Sequence, residues 1–568
     1  MFSPSLISVM FHTLHDPETP FSLPRSFTST VEIADLFSKF ASWKDWSHKT
    51  VPVVARTGRQ ETELKEYFST IRKDAPNFFF QNGEPYSFFW GRIPLQQLIK
   101  YFLRFHDEKE EFEYLDIGSP MVPLGSRSPY DQTIGKLMRL TPARNAAVVG
   151  AAIIDMGNHV KGSQPDNYGG MLRHVVTTDI EMSDHAEKVL SILLEQLDSN
   201  SQLKGTTVSC ALVCPPVNFI GTGLSEFDQA CSPEMLTALN ALEPHLTADG
   251  LPVAVNMSLG THVGPHNGDS PLEQYISGTL VKKDRYLFAA AGNDGGAGRS
   301  AKCTLEKDEP EYLTLRTGPL CEQLLVELWW EDTGSLGISI DVDIWETVFA
   351  NKAGTRTNHA TLRIDPTTLG TLSLAPAGLP SSMRMHSLFS TSCQNNLRCA
   401  AFAISAANNS ALPVLDINLR LEAANLQRKA VVNGWIVLAE ADPLTAATTF
   451  VEGGAEGNVT VPASDPTVLS VSGLDVTGKV WKGSSRGPAA EYDTINPNRN
   501  SPLMAHRSHL GSEFGTSFAS PRACGDAIEA LANPNRRANC SDALSLLKET
   551  YGIRKFPQWN PRFGYHKA

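Results

Sequence analysis

The 568-residue chain has little that would tie it to a nucleic acid, a membrane or a metal ion. Lys and Arg total 49 against 61 Asp and Glu, a formal net charge of −12, so the broad positive field of a general phosphate or anionic-lipid binder is missing. No apolar run reaches the roughly 18 residues that a membrane-spanning helix needs. The opening stretch MFSPSLISVMFHTLHDPETP has a short apolar patch, but no basic residue precedes it and no small-residue cleavage pattern follows. A secretory signal is therefore not expected, and the reading favours the cytoplasm. The nine cysteines form no CxxC pair and no cluster with histidine, which speaks against structural zinc and a disulfide framework and for reduced thiols. Internal repeats and long low-complexity tracts are absent.

What is present is a chain that should fold: 41% of it is hydrophobic and 19% charged, outside the range of disordered, collagen-like or coiled-coil sequences. At about 150 residues per domain the length suggests about four domain-sized pieces, fewer if one is a large α/β unit. Residues 1–48 form a Pro/Ser/Thr-rich arm followed by a helix, with Ile33, Leu36, Phe37, Phe40 and Trp43 at helical spacing and expected to pack on a neighbour. In residues 49–128, VPVVA, NFFFQ, YSFFW and FEYLDI read as strands, the middle two joined around Asn82-Gly83. ETELKEYFSTIRKD and PLQQLIKYFLRF read as helices, with Leu64, Phe68 and Ile71 on one face of the first. The order β-α-β-β-α-β predicts a ferredoxin-like α+β domain. Residues 129–300 alternate near-continuous apolar strands with helical segments, the pattern of a doubly wound α/β domain with a buried parallel sheet. Residues 301–455 are β-rich, and Ile338, Ile340, Val342 and Ile344 alternate with polar residues as one half-buried sheet face requires. An inserted β-sandwich or jelly roll is expected there. Residues 456–568 return to the α/β style.

The segment that carries most chemistry is Gly515-Thr516-Ser517-Phe518-Ala519-Ser520-Pro521, followed by Ala523, Ala527, Ala530 and Leu531 at helical spacing. A serine at a helix mouth lies beside unpaired N–H groups and the positive end of the helix dipole. That environment suits a nucleophile whose attack creates an oxyanion, although an N-cap uses the same residues. Three further segments bear functional side chains. Ile153-Ile154-Asp155-Met156-Gly157 puts an aspartate where an apolar strand reaches its carboxyl edge. His185 opens a helix whose apolar stripe is Val189, Ile192 and Leu193; His159 and His174 are the competing imidazoles. Ala289-Ala290-Ala291-Gly292-Asn293-Asp294-Gly295 ends a buried strand in a turn.

Together these segments, in this order, resemble the motifs of the subtilisin-like serine peptidases. The resemblance implies a catalytic triad of Asp155, His185 and Ser517, with Asn293 as oxyanion donor. It also implies a substrate-binding strand at Ser258, Leu259 and Gly260 within Val255-Asn256-Met257-Ser258-Leu259-Gly260. Around His185 only the first His and the Val of His-Gly-Thr-His-Val-Ala-Gly remain, and Arg522 stands where histidine is common. The turn Ser484-Ser485-Arg486-Gly487-Pro488 resembles a late segment of the same family. Asn496-Pro497-Asn498 stands where many relatives have Lys-Pro-Asp.

The resemblance further implies a serine endopeptidase acting on protein or peptide substrates, without cofactor or metal, made as a zymogen. Its ferredoxin-like prodomain would act in cis, laying a tail at residues 116–128 into the cleft. The β-rich insertion is similar in placement to the jelly roll of clostridial germination proteases. The alternative is a catalytically silent member of the same fold that binds a protein partner.

Overall fold

The computed structural model describes residues 26–27, 30–43, 49–58, 79–83, 86–108, 114–118, 121–123, 148–159, 172–174, 180–200, 206–214, 231–247, 250–332, 338–350, 353–364, 372–374, 383–389, 396–406, 411–423, 429–438, 448–454, 456–487, 502–533, 542–551 and 565–566, with a few single positions or pairs between them. The expected helix at 61–74, most of the tail beyond Pro123 and the segment Asn496-Pro497-Asn498 lie outside these. The fold is mixed α/β, with parallel and antiparallel sheets.

The central sheet runs in the order Tyr565–His566, Leu503–Arg507, Leu469–Leu474, Arg285–Ala290, Val253–Met257, Gly150–His159, Val208–Val213 and Leu172–His174. All these neighbours pair in parallel. Strand Gly150–His159 shows why its sequence reads as an apolar run. Ala151 and Ile153 face one layer of helices, Ala152 and Ile154 the other, so both faces of the pleat are covered. One layer consists of helices Asp184–Ser199, Thr516–Leu531 and Ala543–Tyr551; the other includes helix Ser232–Thr247 and the short helix Pro271–Tyr275. Helix Ser232–Thr247 was not read from the sequence, although Met235, Leu236, Leu239 and Leu242 carry the helical spacing that marks it.

The strand bearing Asp155 runs further than the sequence suggests. Its last three residues, Gly157 to His159, pair antiparallel with Ile180–Met182. The aspartate still lies near the carboxyl end of the parallel ladder: pairing with Val253–Met257 ends at Ile154, and pairing with Val208–Val213 ends at Met156.

Near the N-terminus, strands Phe79–Gln81, Ser87–Pro94, Thr50–Thr57 and Tyr114–Ile117 form an antiparallel sheet in that order. Helix Leu95–Glu108 and helix Thr30–Trp43 pack together, with Phe37 edge-on to Phe102 at 4.9 Å. Leu36, Phe37 and Phe40 are buried in one cluster with Val51, Val53, Leu98 and Ile99, so the N-terminal helix shares the core of this sheet. The opposite sheet face, with Val54, Phe88 and Trp90, packs on Met235, Leu239 and Tyr275 of the central unit. Polar groups rim that junction: Arg92 pairs with Glu234 at 2.9 Å, Trp90 Nε1 donates to Thr237 Oγ1 and Tyr275 OH donates to Gln81 Oε1.

Between the two parts of the central sheet lie two further antiparallel sheets. One runs Ser26–Phe27, Leu372–Leu374, Met383–Phe389, Leu397–Ala406, Gln323–Glu331, Ala430–Leu438, Ser300–Leu305. The other runs Ala353–Ile364, Ile338–Ala350, Leu415–Ala423, Glu311–Arg316, Thr449–Phe450. Their inner faces share one core, into which Ile338, Ile340, Val342 and Ile344 all point, as the alternation required. Strand Ser26–Phe27 extends the first of these sheets, so the N-terminal arm reaches the insertion.

Candidate active site

The site lies where two helices open toward the carboxyl edge of the central sheet. Helix Asp184–Ser199 starts at Ser183, whose hydroxyl accepts from Ala186 N, and this fixes His185 in the first turn. His185 Nδ1 lies 2.7 Å from Oδ1 of Asp155, a residue with no exposed surface. The same carboxylate oxygen accepts from Met156 N at 2.7 Å, which holds the acid in place from its own backbone. A carboxylate can only accept, so Nδ1 carries a proton, and in the neutral imidazole Nε2 then presents its lone pair. Nε2 is buried and unpartnered among the described residues. Of the alternatives, His159 is exposed at the far end of the Asp155 strand; the side chain of His174 is outside the described set.

Ser517 is the second residue of helix Thr516–Leu531, whose N-cap, Gly515, provides no side-chain acceptor. Its hydroxyl donates to Ser258 O at 3.3 Å, and Ser258 Oγ donates back to Ser517 O at 3.2 Å. Asn256 Nδ2 in turn donates to Ser258 Oγ at 3.0 Å. The His185 and Phe518 rings stack at 6.2 Å, which brings the two helix mouths together, yet no hydrogen bond joins Ser517 Oγ to Nε2. Gly525 permits the close helix approach: a Cβ there would stand 1.8 Å from Gln196 Oε1 of the His185 helix.

Asn293 is anchored from the serine helix. Its Oδ1 accepts from Thr516 N at 3.0 Å and Thr516 Oγ1 at 3.1 Å, so Nδ2 is the end of the amide left to donate elsewhere. The preceding Gly292 has φ +116°, and a Cβ on it would meet Ser485 Oγ at 2.6 Å and Thr460 Cγ2 at 2.9 Å. Only glycine fits between those walls. Thus the Ser484–Ser485 turn, read from the sequence, buttresses the asparagine segment; Ser485 N donates to Gly292 O and Ser485 Oγ accepts from Asp294 N.

Leu259 and Gly260, expected as part of a substrate-binding strand, form a two-residue strand that pairs within the chain. Pro123 pairs with Leu259 and Val122 with Gly260 in antiparallel register. Ser517 itself has no exposed surface.

A pair that sequence reasoning missed lies next to this strand. His262 Nε2 meets Asp294 Oδ2 at 2.8 Å, and His262 stacks on His266, which stacks on Trp435 at 4.2 Å. Burial opposes ionisation of Asp294, but the His262 contact and the charge of Arg299 hold its pKa below the usual carboxylate value. The two residues are 32 apart in the chain, and nothing in their spacing signals the contact. Among the described residues no group of three His, Cys, Asp or Glu is arranged to hold a metal ion. No helix among them is long and apolar enough to cross a membrane.

No family model matches this chain, and no curated protein does. Solved structures similar to it include the following two. The CspB protease of Clostridium perfringens overlays with a TM-score of 0.47 at 16% identity, covering 72% of this chain and 84% of that one. The Epidermin leader peptide processing serine protease (EpiP) of Staphylococcus aureus overlays with a TM-score of 0.38 at 10% identity, covering 91% of this chain and 96% of its own.

Proposed function

We propose that this chain is a serine endopeptidase of the subtilisin type, held in check by its own N-terminal unit. The observation that carries the reading is the 2.7 Å contact of His185 Nδ1 with a fully buried Asp155, made beside a serine at an uncapped helix mouth. In the proposed reaction Ser517 Oγ attacks the scissile carbonyl carbon while His185 Nε2 takes its proton; Asp155 keeps the imidazole in the right tautomer. The negative charge on the carbonyl oxygen is met by Asn293 Nδ2 and the Ser517 N–H, one of the first-turn donors a helix leaves free. Collapse expels the amine, protonated by the imidazolium, and leaves an acyl-enzyme. Water, deprotonated by Nε2, then releases the acid. The chemistry needs no cofactor or metal.

We read the N-terminal unit as a ferredoxin-like prodomain, a reading that the strand order 2-3-1-4 of its sheet supports. Its tail, through Val122 and Pro123, adds a strand to Leu259–Gly260 as a bound peptide would. The insertion is read as a jelly roll. Eight of its strands, numbered from Ser300–Leu305 with Leu372–Leu374, Met383–Phe389 and Thr449–Phe450 left out of the numbering as additions at the sheet edges, follow the orders 1-8-3-6 and 2-7-4-5.

A fluorophosphonate tests the reading on the full-length chain, before and after limited proteolysis of the N-terminal unit. An adduct on Ser517 that disappears in Ser517→Ala is expected; no adduct in either form overturns the proposal. That outcome would favour the silent-regulator reading, which the burial of Ser517 and its hydrogen bond to Ser258 O support. Self-processing is read from the mass of the purified protein, with Ser517→Ala as the variant expected to stay whole.

A further inference from the structure

Lys188 and Glu513 are 325 residues apart in the chain and form an ion pair of 2.6 Å, with Lys188 19% and Glu513 3% exposed. Lys188 lies three residues beyond His185, on the same helical face. Glu513 lies four residues before Ser517, at the end of the hairpin in which His509–Leu510 pairs with Glu513–Phe514. The other side of that hairpin is fastened to the serine helix. Arg522 Nη1 donates to Arg507 O at 3.0 Å and to Phe518 O at 2.8 Å, and Nη2 donates to His509 O at 3.0 Å. The hairpin is therefore clamped to the Ser517 helix by Arg522 and to the His185 helix by Lys188. This second link between the two helices runs beside the reacting groups, whereas the Gln196–Asp526 contact joins them two turns further along.

We propose that Lys188 and Glu513 are a positioning pair that sets His185 Nε2 against Ser517 Oγ. The inference rests on the serine-peptidase reading. Lys188 and Glu513 bond to each other and not to the reacting groups. A loose pair lets the His185 helix slide past the serine hairpin, and proton transfer from Oγ to Nε2 tolerates little misplacement: a shift of about 1 Å costs on the order of 100-fold. Burial makes the pair directional, because a long side chain in a mostly enclosed space keeps its ammonium where the carboxylate is.

Removing one partner alone strands the other charge and risks misfolding, so the test uses pairs. In Lys188→Met with Glu513→Leu, apolar packing replaces the ion pair and thermal stability should be kept or raised. The fluorophosphonate labelling rate at Ser517 should nevertheless fall about 10-fold or more, as misplacement of reacting groups demands. Lys188→Arg, which keeps the charge and the reach, should restore the rate to within about 3-fold of wild type, a recovery that packing alone does not explain. If the apolar pair labels at the wild-type rate, or Lys188→Arg is as slow as the apolar pair, the positioning role is wrong while the peptidase reading stands. If wild type itself gives no adduct, the peptidase reading falls, and the positioning role with it.

Discussion

The helices Asp184–Ser199 and Thr516–Leu531 both have 16 residues and both aim their N-termini into the cleft, but they are built on opposite plans. The first is closed at its mouth. Ser183 caps it, and Asp184 and Glu187 in the first turn offset the positive end of the dipole. The second is open: Gly515 supplies no cap and no acid lies in its first turn. Burial differs in the same sense, with seven buried residues in the first helix and fourteen in the second. The capped helix is a stable mount for an imidazole that must stay on Asp155. In the second helix Thr516 N donates to Asn293 Oδ1 and Phe518 N to Gly515 O, which leaves the Ser517 N–H as the first-turn donor to meet an oxyanion.

The sharpest way to probe the open mouth is Asn293→Ala. With the Nδ2 donor gone and Thr516 left without its acceptor, labelling of Ser517 should fall by about 10²–10³, the usual loss on removing one oxyanion-hole donor. A drop below about 3-fold would remove Asn293 from the oxyanion role. Gly525→Ala tests how closely the two helices must approach. Its Cβ would displace the Gln196 amide and strain the Gln196–Asp526 contact of 3.2 Å. A stability loss of about 1–3 kcal/mol in chemical denaturation is expected, as for overpacking. Gly515→Asp converts the open mouth into a closed one. Gly515 has φ −178°, extended backbone that any residue adopts, so the new carboxylate should cap the helix without strain. Stability should rise by a few tenths of a kcal/mol. Labelling should slow by about 10-fold, because the added anion takes the donors and the dipole that the oxyanion needs. Faster labelling would contradict the division between the helices.

The same contrast explains what was legible in the sequence. Helix Asp184–Ser199 shows its amphipathic stripe and its serine cap directly, so His185 could be placed on its first turn. Helix Thr516–Leu531 also shows helical spacing, in Ala523, Ala527, Ala530 and Leu531, but the role expected of Ser517 came from the Gly-Thr-Ser-X-Ala-Ser-Pro string. Of the segments singled out in the sequence at 116–128 and at Ser258 to Gly260, two residues of each pair with one another. Their register, Pro123 on Leu259 and Val122 on Gly260, required coordinates. What stayed hidden are side-chain contacts across hundreds of residues. The Lys188 ammonium meets Glu513, and His262 meets Asp294, and no sequence motif marks either pair. Pairing of that kind leaves no local pattern, because the partners are brought together by the sheet order and not by spacing. The extension of the Asp155 strand to His159 was missed for a related reason: its antiparallel partner, Ile180–Met182, is three residues long and only weakly apolar.

The smallest expected effect concerns the closed mouth. Ser183→Ala removes the hydroxyl that accepts from Ala186 N at 3.2 Å, which should cost about 1 kcal/mol, the usual price of a lost N-cap. Because His185 is also held by Asp155, the helix start should fray without releasing the imidazole, so the labelling rate of the folded protein should stay within about 2-fold, far less than the 10²-fold of a misplaced reacting group. Ser183→Asp, which restores an acceptor and adds charge at the favourable end of the dipole, should recover the stability. A labelling loss in Ser183→Ala as large as that in Asn293→Ala would mean that the cap, and not the carboxylate, orients His185. The two helix mouths would then be equally exposed to catalysis rather than divided between support and chemistry.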